Sequence, residues 1–220
     1  MTGRRILPPA AALLAALLLL GCGRIPRIIV LTDPLSAKEH LELGVAYERK
    51  GEPDLAAREY ERALRKDRSL VQARINLGNV HLANGEYPKA KEEYREALSV
   101  APEHPEASNN LAWAAILSGT DLEESAERME AVLRKEEART PALLDTLGVL
   151  RMRLRRPGAG DLFEEAERRC LQARSGSGSV EGTGGSGGSG CPDAVLEEIR
   201  RHREEQDGRN RAPDPPALVQ

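Results

Sequence analysis

Between residues 37 and 104 the apolar and small positions fall on helical spacings, and the whole arrangement returns after 34 residues. The first unit carries Leu43-Gly44, Tyr47, Gly51, Ala56, Tyr60 and Ala63; the second carries Leu77-Gly78, His81, Gly85, Ala90, Tyr94, Ala97 and Pro102. Ala56, Tyr60 and Ala63 stand at i, i+4 and i+7, one face of a helix. Leu43, Val45 and Tyr47 belong to a helix before it, which stops at Gly51, where a helix end calls for a left-handed residue. Pro53 and Pro88 follow in the first turn of the next helix, where a missing N–H costs little. Each unit therefore predicts two helices joined by a tight turn. Small Ala residues let the two approach, a Tyr ring fills the space beside them, and Gly44 and Gly78 leave out a side chain where the partner helix would collide. Two helices alone cannot bury their faces, so such units need stacked neighbours.

The first helix starts at a capping box, Ser36 with Glu39 three residues on, and Leu35 stands in the staple position before the cap. A third, drifted copy starts at Pro105, with Leu111-Ala112 in the Leu-Gly place and Gly119 holding its own. Its second helix opens at Asp121 and reads Ser125, Met129 and Val132, displaced by one residue. A fourth copy starts at Pro141 with Leu147-Gly148, and the extra residues between copies three and four belong in loops. Its second helix is expected to open at Asp161 and to present Ala166, Cys170 and Ala173. The other register, Ala159, Phe163 and Ala166, puts Gly158 and Gly160 inside the helix, which is costly.

Leu-Gly-x-x-Tyr, then Ala-x-x-x-Tyr-x-x-Ala, then Pro at a 34-residue period resembles the tetratricopeptide repeat family. The resemblance implies an all-α fold: a right-handed α-solenoid of about four helix-turn-helix repeats with a concave binding face. The repeats are expected at about 37–70, 71–104, 105–140 and 141–174 within an array of residues 36–174.

The flanks differ in character. Residues 1–21 read as a secretory signal: Arg4-Arg5, then an unbroken apolar run from Ala10 to Leu20, too short to span a bilayer. The run ends Leu19-Leu20-Gly21-Cys22, which resembles the lipobox of bacterial lipoproteins, although Leu20 is larger than usual there. That resemblance implies cleavage before Cys22 and acylation of its thiol and new amine, hence a membrane anchor through the N-terminal lipid. With Gly23 next, it favours the outer membrane, facing the periplasm. An ordinary signal peptide with Cys22 as a bystander is the alternative. Residues 22–35 form a tether, whose Ile28 to Leu31 stretch reads as a strap over the edge of the first helix. Residues 175–190 are a linker, 13 of 16 being Gly or Ser. Such a coil spans roughly 22 Å. Residues 191–206 read as a C-terminal helix with an apolar stripe of Val195, Leu196 and Ile199, suited to capping the last repeat, and residues 207–220 as a disordered tail.

Composition narrows the chemistry. Aromatics are 3% of the 220 residues, so the core must be built from Ala and Leu, and the net charge of −3 gives no polyanion-binding surface. Nucleic acid is therefore not an expected partner. The four His stand in no metal-ligand spacing, and neither a phosphate-binding loop nor a nucleophile elbow occurs, so no metal, cofactor or catalytic residue is expected. Gly182 to Gly187 matches a dinucleotide-binding pattern in form only, with no strand before it and no helix after. In an oxidising envelope Cys170 and Cys191 are the two thiols left for a disulfide.

These features predict a membrane-anchored interaction scaffold of the cell envelope that grips a protein or peptide; an envelope enzyme or accessory factor acting on cell wall or lipid is the alternative. If the repeats stack as the family's do, the concave wall holds the residues three before, one after and four after each Leu-Gly glycine position. They are Leu41, Val45 and Glu48; Ile75, Asn79 and Leu82; Asn109, Trp113 and Ile116; and Asp145, Val149 and Met152. The set is mostly apolar and lacks the Lys and paired Asn with which some family members clamp a terminal carboxylate. An apolar or extended segment is the expected ligand, with Trp113 at mid-groove.

Overall fold

The structure, a computed structural model, describes residues 33–176 and 191–211. The expected leader, Cys22, the tether through residue 32, residues 177–190 of the linker and residues 212–220 lie outside the described residues. The chain divides into two units, Met1–Pro34 and Leu35–Gln220, and every described helix belongs to the second.

The helices run α1 (Ala37–Arg49), α2 (Pro53–Lys66), α3 (Val71–Ala83), α4 (Tyr87–Val100), α5 (Pro105–Ser118), α6 (Leu122–Val132), α7 (Pro141–Arg153), α8 (Ala159–Gly176) and α9 (Asp193–Arg211). A single 3-10 turn, Glu136–Ala138, takes up the extra residues between α6 and α7. Each helix packs on the next from α1 to α8, and α9 lies on α8 and α7. The result is an all-α solenoid of helix pairs with a trailing helix.

Local chemistry sets the boundaries. The Glu39 N–H donates to Ser36 Oγ at 3.2 Å and the Ser36 N–H to Glu39 Oε2 at 2.7 Å, the reciprocal box that opens α1. Gly51 and Gly85 close α1 and α3 at φ of 75° and 73°, a conformation that costs a residue with a Cβ about 1 kcal/mol or more. Pro53, Pro88, Pro105 and Pro141 all sit in first turns.

One contact recurs as the joint of each helix pair. A Cβ on Gly78 would lie 2.5 Å from Cε1 of Tyr94, and Gly44 and Tyr60 stand in the same relation. In the third pair Ala112 and Met129, both fully buried, take these places. In the fourth, Gly148 lies under Phe163. The expected opening of α8 at Asp161 is therefore corrected, although Ala166 and Cys170 are buried as expected and Ala173 is half-buried. The helix starts at Ala159, and Ala159, Phe163 and Ala166 hold the places of Ala56, Tyr60 and Ala63. Gly158, at φ 81°, stands just outside the helix, and Gly160 is in its first turn, so neither weakens the interior. At the other end α9 runs to Arg211 rather than stopping at 206; the Arg209 to Glu205 ion pair, 2.6 Å, helps it past Gly208.

Candidate functional site

The residues expected to form a wall lie on the first helix of each pair, α1, α3, α5 and α7. Asparagine and threonine side chains tie α3, α5 and α7 together. Asn110 Nδ2 on α5 donates to Asn79 Oδ1 on α3 at 2.8 Å, and Thr146 Oγ1 on α7 donates to Asn109 Oδ1 on α5 at 2.8 Å. The Tyr94 hydroxyl also donates to Asn79 Oδ1, at 2.7 Å, so the oxygen of this carboxamide is held from two sides. In the first pair the Tyr60 hydroxyl donates to Glu48 Oε2 at 2.6 Å. Burial, together with the Glu48 carboxylate, pushes the Tyr60 phenol well above its ordinary range, so it stays a donor.

The expected wall residues separate into three kinds. Leu41, Val45, Asn79, Leu82, Asn109 and Trp113 are half-buried and Glu48 is exposed. Ile75 and Ile116 are buried and belong to the hydrophobic core, which takes them off an open wall. Trp113 packs partly against the cluster that contains Ile116 and Val149, so one side of its ring is committed to the core. Asp145, Val149 and Met152 are 5%, 3% and 4% exposed, which removes the fourth set from an open wall. The cause is α9, which lies against α7 and α8: His202 Nδ1 is 2.9 Å and 3.0 Å from the two carboxylate oxygens of Asp145, and Leu196 and Ile199 are buried beside it. The carboxylate holds His202 above the usual imidazole range, although burial opposes it.

Asn110 and Thr146 were missed in the sequence, whereas their partners Asn79 and Asn109 stood among the expected wall residues. Yet the position two before each glycine place is polar in every copy, Glu42, Asn76, Asn110 and Thr146, and that regularity at an otherwise apolar junction was the available signal. Cys170, fully buried on α8, is joined to Cys191, with Cα atoms 5.0 Å apart. Among the described residues no three His, Cys, Asp or Glu gather to hold a metal, and no helix is long and apolar enough to cross a membrane.

With this geometry in hand, comparison with known proteins is direct. The profile of the tetratricopeptide repeat family matches residues 9–71 and 75–121, together half of the chain. The chain belongs to the tetratricopeptide repeat family. Its fold resembles that of Pseudomonas aeruginosa PilF, at 19% identity over 81% of this chain and 78% of that one, with a TM-score of 0.54. It also resembles a thermophilic tetratricopeptide repeat protein of Thermus thermophilus, at 18% identity over 77% and 85%, TM-score 0.54. MamA of Desulfovibrio magneticus RS-1, from residue 41 to its end, gives 14% identity over 81% and 97%, TM-score 0.52. At these identities the likeness is one of fold. No curated protein sequence matches the chain.

Proposed function

We propose that this protein is a scaffold of the bacterial cell envelope, lipid-anchored at Cys22, that grips an extended, largely apolar segment of a partner protein along the wall formed by α1, α3 and α5. The observation that carries the reading is the pairing of accessible apolar side chains, Leu41, Val45, Leu82 and Trp113, with the Asn79 and Asn109 carboxamides, whose oxygens accept hydrogen bonds from neighbouring helices and so hold the groups in place. With Oδ1 of Asn79 accepting twice, its Nδ2 group is what remains to meet a backbone carbonyl of a ligand, while Asn109 keeps its Nδ2 donors and a second acceptor site on Oδ1. Apolar area gives affinity and the fixed donors give register. The anchor rests on the sequence alone: a basic start, an apolar run and Leu-Gly-Cys at its end.

Trp113→Ala tests the site. In-cell crosslinking identifies what the native protein captures, and the variant is compared with it. Lost capture with unchanged helicity and melting supports the wall. A large fall in melting temperature, with capture intact below it, shows that Trp113 serves only the core and that the site is misplaced.

A further inference from the structure

Helix α9 stands where the first helix of a fifth repeat would stand, and the linker that brings it there is long enough to let it leave. It buries Leu196 and Ile199, three residues apart, against α7 and α8. Around that apolar pair its basic residues reach acids on the array. His202 meets Asp145 on α7, Arg200 Nε is 2.7 Å from Glu167 Oε1 on α8, and Arg203 pairs with the other oxygen of Glu167. The array thus ends in a face with an apolar centre and two carboxylates at its rim, all turned toward one amphipathic helix. A covalent clip, Cys170 to Cys191, fastens that helix two residues before it begins.

We propose that the face beneath α9 is a second docking surface, closed by α9 while Cys170 and Cys191 are joined and open to a partner helix once they are reduced. The partner is an amphipathic helix with apolar residues at i and i+3 and basic residues on the following turn, which is what α9 itself presents. Opening is a thiol–disulfide exchange. A dithiol reductant gives up two electrons and two protons, its sulfurs join to each other, and Cys170 and Cys191 each end as a thiol. Removing a crosslink of this loop length raises the weight of the undocked state by ~100-fold, so a helix in trans then competes with α9 in cis. Undocking also uncovers Asp145, Val149 and Met152. Those residues would lengthen the wall on α1, α3 and α5, but the face on α7 and α8 stands without that reading.

The probe is a fluorescent peptide of residues 191–211 carrying Cys191→Ser, titrated by anisotropy into the full chain with and without dithiothreitol. Binding to the reduced protein and to the Cys191→Ser full chain, with none to the oxidised protein, is the expected result. Amide exchange over Asp193–Arg211 and Pro141–Arg153 rises on reduction by the same reasoning. The proposal is overturned if exchange in these helices is the same in both redox states, if the oxidised protein binds the peptide as well as the reduced, or if neither binds it. It is overturned too if reduction costs the array its helicity, because α9 is then a fixed part of the core. Trp113 is untouched throughout, so failure here is separate from failure of the wall.

Discussion

Gly148 lies beneath the ring of Phe163 as Gly44 lies beneath Tyr60, although the fourth pair has one residue fewer between the two. The contact between glycine and ring is kept although the loop between the helices is longer here, because α8 starts only four residues before its ring whereas α2 starts seven before Tyr60. A methyl on Gly148 has no free space, since the ring above it is fully buried and cannot swing aside. Gly148→Ala is expected to destabilise by about 1–3 kcal/mol through overpacking. Gly160→Ala, where an added methyl meets nothing, is the control and is neutral or stabilising. Urea melts of both variants check this; equal midpoints would show that the ring yields.

A second joint changes character along the array. His40 Nδ1 is 2.7 Å from Glu59 Oε2 in the first pair, and Arg74 Nη1 is 3.1 Å from Glu93 Oε2 in the second. The matching residues of the third pair are Ser108 and Arg128, and the acid is gone. Ser108 Oγ, Ser125 Oγ and Arg128 Nε are buried with no hydrogen-bond partner. In the fourth pair Leu144 and Leu162 hold these places, both buried and apolar. An unpaired buried hydroxyl costs more than it returns, so Ser108→Ala should stabilise by about 1 kcal/mol and raise Tm by ~2–4 °C. His40→Ala goes the other way, leaving Glu59 buried with one partner fewer. Calorimetry that found Ser108→Ala destabilising would mean that the hydroxyl is satisfied after all.

The contrast between these joints shows what was legible in the sequence. Landmarks at a fixed 34-residue period located the first two helix pairs, because Gly, Ala and Tyr are each required there by close packing. The period fails where packing tolerates a substitute. Met129 replaces a ring, and the longer loop before Phe163, with α8 starting close to that ring, set the register of α8 against a rule about glycine inside helices. That rule did not apply, since Gly158 stands outside the helix and Gly160 in its first turn. The same period named Ile75 and Ile116 for an open wall, and both are buried, because a period marks a helix face and not its exposure. The cover on the fourth pair did not follow from the period, because His202 and Asp145 are 57 residues apart and belong to no repeat. Contacts between an array and its own tail leave no periodic trace.

The His202 to Asp145 contact carries a pH dependence of defined sign. The carboxylate raises the imidazole above its ordinary value of 6.5, so the charged form is favoured in the docked state. The contribution is fully present below that value and is lost as pH rises through the raised one. Docking of α9 should weaken above pH 6.5, and amide exchange over Asp193–Arg211 should accelerate there beyond the intrinsic base-catalysed rate. His202→Gln removes this excess. A wild-type excess that survives the substitution would assign it to another group.

The anchor is tested at Cys22. An apolar run of eleven residues, Ala10 to Leu20, is shorter than a bilayer span needs, so the run alone cannot hold the protein in a membrane. One acyl chain binds a membrane marginally and reversibly, whereas two or three hold it stably, so lipid on both the thiol and the new amine of Cys22 is what the reading requires. Cys22→Ala removes the acyl acceptor and should leave the protein either uncut or free of the membrane. Cell fractionation separates these outcomes from the wild type, and mass spectrometry of the mature wild-type protein should show a Cys22 heavier by its acyl groups. A Cys22→Ala protein that still sediments with membranes in its mature form, or a mature wild-type chain with an unmodified Cys22, would leave the array without its tether and remove the envelope from the proposed function.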